Sequence, residues 1–245
     1  MDLLSSIFLG VLQGLTEFLP VSSSGHLVIA QQLIPNFIQE GVLFDVFLHA
    51  GTVLAVLYYF RKSILKLTPK YLLFLLIGTI PAGLVGFFFS TPIEILFANI
   101  SVVGFALLFT AVLNFMTDRL KVKKQEISIK NSLLIGVAQA IAIIPGVSRS
   151  GSTIFAGTSL GLKREKAAEF SFLLSVPAIV GANVLQFFKY GPDGIGNMGI
   201  YIAGFLAAFL SGIFAINLVL KFLLSSRFKI FAFYCFLLGV AVLLL

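Results

Sequence analysis

Two short polar stretches carry reactive side chains inside strongly apolar surroundings. The first, EFLPVSSSGH, runs from Glu17 to His26 and contains a carboxylate, three consecutive serines and a histidine. Gln13 precedes Glu17 by four residues, so the two side chains share one helical face. A charge at the centre of a membrane span costs about 2.5 to 3.5 kcal/mol, so an ionised Glu17 needs a cation, a metal or water. The alternative is a protonated Glu17 that is hydrogen-bonded to a neighbouring helix.

The residues after Pro20 stand where a new helix is expected to begin. They carry hydroxyls or no side chain: Ser22, Ser23, Ser24 and Gly25. One serine is enough to cap a helix. Several hydroxyls beside free N–H groups at a helix N-terminus also form an anion site, which the helix dipole favours. His26, at the rim of that site, is a candidate general acid or base.

The second stretch, PGVSRSGST, places one cation among further hydroxyls. Arg149 is flanked by side chains that could bind an anion, namely Ser148, Ser150, Ser152 and Thr153. A guanidinium with hydroxyls and backbone donors suits a phosphate, because it binds two oxygens at once. Arg149 could also be an internal partner of Glu17, or serve both roles in turn. A phosphate site at membrane depth indicates a lipid phosphate as the substrate.

Composition sets the class of protein that must position these residues. The chain has 245 residues, is 59% hydrophobic and 11% charged, and has a mean hydropathy of +1.07. These values predict an integral membrane protein with helical spans. The net charge of +7 falls in short loops, so it indicates topology and no nucleic-acid partner. Cys235 is the only cysteine, which excludes an internal disulfide, and the N-terminus MDLLSSIFLG lacks the features of a removable signal peptide.

An internal repeat relates the two polar stretches. Residues 10–30 align with residues 136–156 at a constant offset of 126 without a gap. The alignment includes polar pairs that shared apolar composition does not explain: Gln13/Gln139, Ser22/Ser148 and Ser24/Ser150. The halves differ at three chemically important positions: Glu17/Ile143, Ser23/Arg149 and His26/Ser152. The sequence therefore predicts one acidic, nucleophilic half and one cationic half.

Each half has a proline-broken polar segment followed by three apolar runs. The broken segments span about 5–32 and 131–160, and the apolar runs span about 41–60, 71–90, 98–117, 167–188, 198–220 and 230–245. A helix break at membrane depth is tolerated only where it is buried or lines an aqueous cavity. We therefore predict an all-α polytopic membrane protein with an inverted-topology repeat, six transmembrane helices and two re-entrant helix hairpins. It would form a single domain over 1–245, with repeat halves 1–117 and 131–245 and a basic connector 118–130.

The basic residues test this topology. With six spans and two hairpins, 15 of the 17 basic residues lie on the inner side, which leaves Lys189 outside and Arg149 within a hairpin. The predicted inner loops contain Arg61, Lys62, Lys66, Lys70, Arg119, Lys121, Lys123, Lys124, Lys130, Lys163, Arg164, Lys166, Lys221, Arg227 and Lys229. Both termini are then outside, and the hairpins enter from opposite sides and meet near the midplane.

The two motifs also carry a family resemblance. QGLTEFLPVSSSGH and PGVSRSGST resemble the signature motifs of the undecaprenyl-diphosphate phosphatase family, the bacitracin-resistance-type membrane phosphatases of bacteria. The resemblance covers nearly the whole chain and includes FDVFLHAGT and FSFLLSVPA. It implies hydrolysis of a C55 polyprenyl diphosphate to the monophosphate carrier lipid and phosphate, which recycles the carrier for cell-wall synthesis. It further implies a site in the plasma membrane of bacteria that opens toward the outer face.

The resemblance assigns expected roles to residues. The central residues are Glu17, Ser23, His26 and Arg149. The residues expected to bind or orient the diphosphate are Gln13, Ser22, Ser24, Gly25, Ser148, Ser150 and Thr153. A divalent cation, Mg²⁺ or Ca²⁺, is implied, with Glu17 as its candidate ligand. The family's motif allows glutamate or glutamine at the position of Gln13. If two carboxylates were needed to hold the metal, this chain would lack one, and diphosphate oxygens and water could complete the shell.

Three hydrolytic routes stay open. Ser23 leads as a nucleophile activated by Glu17 or His26, giving a phosphoserine that water then cleaves. The others are direct attack by water activated by Glu17 and a phosphohistidine at His26. Asp45 and His49, in FDVFLHAG, are expected to support or pack against the site and are weaker catalytic candidates.

A second class of function shares the predicted architecture. Inverted repeats with broken helices that meet at the midplane also describe secondary transporters, so a carrier or lipid flippase for an anionic substrate is the alternative. A channel is disfavoured because no ring of repeated charges indicates a pore. The oligomeric state stays open, and a homodimer is one candidate.

Overall fold

The described part of the chain is almost entirely helical. The computed structural model describes residues 1–35, 37–39, 42–120, 125–191, 197–224 and 227–244. Within these ranges there are twelve helices: α1 (Leu3–Phe18), α2 (Ser23–Leu33), α3 (Leu43–Tyr59), α4 (Arg61–Ile64), α5 (Pro69–Phe88), α6 (Ser90–Phe97), α7 (Ile100–Thr117), α8 (Ile129–Ile141), α9 (Arg149–Ser159), α10 (Arg164–Tyr190), α11 (Met198–Leu224) and α12 (Phe228–Leu244). The predicted all-α class is confirmed.

Long apolar helices make this a multi-pass membrane protein. Four helices in the described ranges are long and apolar enough to cross a bilayer: Pro69–Phe88, Ile100–Thr117, Arg164–Tyr190 and Met198–Phe222. The remaining predicted runs correspond to α3 and α12, which are apolar helices of 17 residues each. Large apolar side chains such as Leu76, Phe105 and Leu210 are exposed on the outer surface, as expected of helices that face lipid.

Both polar segments are broken where the sequence predicts. The chain leaves the helix after Phe18 and re-enters it at Ser23, so Pro20 lies in the break. The second break separates α8 from α9 and contains Pro145 and Gly146. The short helices α4 and α6 were not predicted from the sequence. Within the predicted basic connector, Lys121, Lys123 and Lys124 lie outside the described residues.

Equivalent contacts recur in the two halves. The Ser6 hydroxyl donates to the carbonyl of Ile200, and the aligned Ser132 hydroxyl donates to the carbonyl of Phe74. A Cβ added to Gly10 would lie 2.3 Å from the carbonyl oxygen of Gly204, and a Cβ added to Gly136 would lie 2.3 Å from that of Gly78. Close approach without side chains therefore brings α1 against α11 and α8 against α5 in the same way.

Candidate active site

Glu17 is the centre of a compact polar cluster. It is 6% exposed, near the end of α1, and both of its carboxylate oxygens accept hydrogen bonds. The Ser23 hydroxyl donates to Oε2 at 2.6 Å, and the Gln13 amide donates to the same oxygen at 2.9 Å. A guanidinium nitrogen of Arg149 donates to Oε1 and forms an ion pair with it. The acidic residue of one hairpin thus contacts the cation of the other.

Arg149 is held in place by a second bond. Its Nη1 donates to the carbonyl of Ser171 on α10 at 3.0 Å, while Nη2 reaches Glu17. The side chain is 16% exposed, so it is shielded but still reachable. Because one arm of the fork is fixed to the protein backbone, the charged group is preorganised for an anionic ligand.

Serine caps begin the two helices that follow the breaks. The Ser22 hydroxyl accepts the N–H of Gly25 at 3.2 Å, and the Ser148 hydroxyl accepts the N–H of Gly151 at 3.0 Å. Ser22 has a φ of 68°, a left-handed conformation that is strained for a residue other than glycine. In the second break the positive φ falls on Gly146, at 95°, where it carries no such strain.

Helix α7 satisfies the backbone groups that the breaks leave unpaired. The Asn114 amide donates to the carbonyl of Pro20 at 2.6 Å. The Thr110 hydroxyl donates to the carbonyl of Gly146 and accepts the N–H of Ser148. The hairpin tips also touch each other, since a Cβ added to Gly25 would lie 3.0 Å from the Cα of Gly146. One helix therefore fixes both tips and with them the distance between their charged groups.

The polar cluster lines a cavity of about 310 Å³. Glu17, Ser23, Ser24, Ser148 and Arg149 contribute to its wall. The same wall has apolar and small residues from four other helices and the second break, among them Val46, Ala82, Gly86, Ile143, Ala178 and Leu185. A single cavity thus offers charged and hydroxyl groups together with apolar surface, as an amphipathic ligand requires.

His49 contributes to this cavity more directly than the sequence indicates. Its Nε2 lies 3.4 Å from Oε2 of Glu17, and its Nδ1 is 2.7 Å from the carbonyl oxygen of Asp45. From the sequence it was expected to support or pack against the site and ranked as a weaker catalytic candidate. Asp45 itself is buried and accepts hydrogen bonds from the amides of Gln31 and Gln39, so it plays a packing role behind His49.

Some predicted site residues do not line the cavity. His26 faces α12, where its Nε2 is 2.6 Å from the Tyr234 hydroxyl and its Nδ1 is 2.7 Å from the carbonyl oxygen of Ser22. The other predicted site residues outside the cavity wall support it from behind: Gln13, Ser22, Gly25, Ser150 and Thr153. Gln13 donates to Glu17, and the Thr153 hydroxyl is hydrogen-bonded to Ser171 on α10. Ser150, for example, donates to the carbonyl of Leu19 at 3.0 Å, and so ties the second hairpin to the first.

An acidic clasp lies at another part of the cavity wall. Glu94, on α6, accepts hydrogen bonds from Gln186, Lys189 and Tyr190 near the end of α10. Burial raises the pKa of the Glu94 carboxyl, but these three hydrogen bonds and the Lys189 charge outweigh it and hold the pKa below its ordinary value. The clasp, defined by these four residues, fastens α6 to α10.

Comparison with known proteins identifies the family. Residues 6–241 match the family model described as Bacitracin resistance protein BacA. The chain belongs to this family. Relatives of the BacA family named undecaprenyl-diphosphatase include proteins of Methanobrevibacter smithii, at 40% identity over 99% of this chain and 97% of the relative, and of Syntrophotalea carbinolica, at 42% over 98% and 97%. A third, from Thermosipho africanus, is 41% identical over 97% of this chain and 98% of its own length. The family expectation is confirmed.

The residues of this BacA-family site fit a divalent cation only in part. In the described ranges no group of three or more His, Cys, Asp or Glu side chains converges. Glu17 already accepts three hydrogen bonds, whereas the buried Oε1 of Gln13 has no partner among the described residues. Carboxylate and amide oxygens are donors that Mg²⁺ and Ca²⁺ take, but two of them do not fill a shell. A cation bound to Glu17 would therefore need most of its ligands from the substrate and water.

Proposed function

We propose that this protein hydrolyses undecaprenyl diphosphate to undecaprenyl phosphate and phosphate, and that Glu17, Ser23 and Arg149 carry the reaction. Family membership and full-length relatives named undecaprenyl-diphosphatase support the activity. The observation that carries the site assignment is the contact of one carboxylate with both a serine hydroxyl and a guanidinium in a cavity with apolar walls. Phosphoryl transfer needs such positioning and charge stabilisation above all.

The chemistry starts from the short Ser23–Glu17 hydrogen bond. The Ser23 oxygen attacks the terminal phosphorus while its proton passes to Glu17. The bond from phosphorus to the bridging oxygen breaks, and the lipid monophosphate leaves with that oxygen. Water then attacks the phosphoserine while the proton held by Glu17 returns to the serine oxygen. The hydroxyl of the water leaves in the released phosphate, and its other proton passes to solvent. Arg149 stabilises the charge that spreads over the phosphoryl oxygens in both steps.

Other groups have narrower parts in this proposal. Ser24 and Ser148 line the cavity and would donate hydrogen bonds to the diphosphate, while Ser22 and Ser150 keep the helix starts in place. A divalent cation at Glu17, with its remaining ligands from the diphosphate and water, would supply neutralisation of the substrate charge. A phosphohistidine at His26 is disfavoured, because its ring faces Tyr234 instead of the cavity.

The test of the serine route is Ser23→Ala in detergent, with phosphate release from the lipid diphosphate as the readout. We expect a loss of at least about 10³-fold in kcat and no trapped phosphoenzyme, while wild type yields labelled phosphate on Ser23. Ser152, a candidate anion-binding side chain from the sequence, does not line the cavity. Ser152→Ala is the matched control, because Ser152 is a buried serine of the second polar stretch outside the cavity wall. A Ser23→Ala enzyme with most of its turnover would favour water activated by Glu17. Detergent removes compartments, so release there also separates an enzyme from a transporter or flippase.

The membrane arrangement is part of the same proposal. We infer six spans and two re-entrant hairpins in an inverted repeat, with both termini and the opening of the site outside. The paired contacts of Ser6 and Ser132 support the repeat, and the placement of basic residues supports the orientation. In intact cells, a membrane-impermeant thiol reagent should label Asp2→Cys and spare Lys62→Cys, with the buried Cys235 unlabelled in both. The opposite labelling pattern would reverse the orientation.

A further inference from the structure

Gln139 is a buried amide that lacks any hydrogen-bond partner in the described part of the protein. It lies on α8, is 3% exposed, and neither its Nε2 nor its Oε1 is paired. Buried side-chain amides are nearly always hydrogen-bonded, because desolvation without a partner is costly. An amide with both ends unpaired is therefore a strong exception.

The position of Gln139 adds a second, independent observation. Gln139 is among the residues that line the same cavity as Glu17, Ser23 and Arg149. The unpaired amide therefore belongs to a residue of the wall around the space in which the head group would lie. Ligand pockets carry a few polar groups that fix the orientation of the ligand, and an unsatisfied buried polar group in such a wall calls for a functional explanation.

Comparison with the aligned residue of the first half explains why the amide is unpaired. Gln13 donates to Glu17, which is four residues further along the same helical face. The residue four positions after Gln139 is Ile143, which offers no acceptor. In the second half, Ile143 stands where the first half has Glu17, so the amide of Gln139 has no acceptor at that position.

We propose that Gln139 is a substrate-binding residue whose Nε2 donates a hydrogen bond to an oxygen of the diphosphate that Arg149 neutralises. This inference rests on the proposed function, since it needs a diphosphate in the cavity. A neutral donor beside a guanidinium adds directional binding without adding charge, and so helps to fix the orientation of the head group for attack by Ser23.

The experiment measures binding and turnover separately. The probe for binding is inorganic diphosphate, titrated against the full-length protein in detergent and followed by the rise in thermal midpoint. The variants are Gln139→Met, which keeps the size of the side chain without hydrogen-bonding groups, and Gln139→Glu, which keeps its shape but adds a negative charge. Thr158→Val is the matched control, because Thr158 is also fully buried with an unpaired hydroxyl but does not line the cavity.

We expect Gln139→Met to weaken diphosphate binding between about tenfold and a hundredfold, and Gln139→Glu to weaken it further. The KM for the lipid diphosphate should rise in parallel. The thermal midpoint of ligand-free Gln139→Met should equal or exceed that of wild type, because the variant removes an unpaired buried amide. Thr158→Val should bind and turn over normally.

Three outcomes would overturn the inference. They are diphosphate binding by Gln139→Met within about twofold of wild type, a lowered midpoint of the ligand-free Gln139→Met protein, and wild-type protein that does not bind inorganic diphosphate. The second outcome would indicate a structural role. Wild-type protein that binds diphosphate but releases no phosphate from the lipid would instead contradict the proposed function and leave the binding comparison valid.

Discussion

Replacement of Arg149 by lysine tests the centre of the proposed site. The change keeps the positive charge beside Glu17, so it avoids an uncompensated buried carboxylate, which would cost about 3 to 5 kcal/mol of stability. The change removes the planar guanidinium, whose two terminal nitrogens bind separate acceptors. Arg149 uses one arm to hold the Ser171 carbonyl at 3.0 Å and the other to reach Glu17, and a single ammonium on a flexible stem cannot do both.

The size of the effect follows from these bonds. A hydrogen bond to a charged group contributes about 1.5 to 3 kcal/mol, and each 1.36 kcal/mol is a factor of ten in rate. Loss of one such bond to the phosphoryl oxygens, together with loss of the anchor that orients the charge, should lower kcat/KM by about 10² to 10³-fold. Most of the loss should be in kcat, because the fork is proposed to act on charge that develops during the transfer.

The assay is phosphate release from a polyprenyl diphosphate in detergent, with substrate varied so that kcat and KM are separated. Arg61→Lys is the control, because Arg61 is exposed and, among the described residues, its side chain makes polar and cation–π contacts only with the carbonyl and ring of Tyr58. Its kinetics should match wild type. If kcat/KM of Arg149→Lys stays within about threefold of wild type, a positive charge alone is enough for catalysis, and the proposed role of the two-armed guanidinium is refuted.

Three further predictions concern packing, pH and metal. Gly136→Ala should lower the thermal midpoint by the equivalent of about 1 to 3 kcal/mol, because the added Cβ would meet the Gly78 carbonyl. The control Gly83→Ala, whose Cβ would have no atom within 4 Å, should not destabilise the protein, and equal midpoints of the two variants would contradict the close contact. Glu94→Gln should lower the thermal midpoint at neutral pH. Because the pKa of Glu94 is depressed in the folded protein, its stabilising effect is lost on protonation, so the difference from wild type should shrink as the pH falls below the ordinary glutamate pKa of 4.5. A difference that grows in acid would contradict the clasp. Chelation should stop phosphate release but leave the midpoint of the substrate-free protein unchanged, and a drop in midpoint would indicate a resident metal.

Features with local causes were predictable from the sequence. Proline and serine at the two breaks are sufficient to end one helix and cap the next, and both breaks lie where those residues stand. Long apolar runs likewise predicted the spans to within a few residues. The expectation that Glu17, Ser23 and Arg149 lie together also follows from simple chemistry, because a buried carboxylate needs a partner and Arg149 is the one cation within the broken segments.

Features that depend on helix rotation and long-range packing were not predictable. Ser23 and His26 are three residues apart on α2, yet the first faces Glu17 and the second faces Tyr234. His49 reaches Glu17 only because α3 packs beside α1, which periodicity does not specify. That Gln139 is unpaired could not be predicted from the sequence, because it depends on every neighbour around α8. Its alignment with Gln13, together with Ile143 in place of Glu17, was a usable signal.

The ion pair between Glu17 and Arg149 joins residues 132 positions apart, so its two members are synthesised at different times. Until Arg149 has been made, Glu17 lacks its guanidinium partner, and an ionised carboxylate is unfavourable in apolar surroundings. A chain that ends before Arg149 would keep Glu17 without that partner and would be more exposed to quality-control proteases. The two halves of the proposed site are therefore useful only together, and the pair that joins them is complete before the last three helices, α10 to α12, are made.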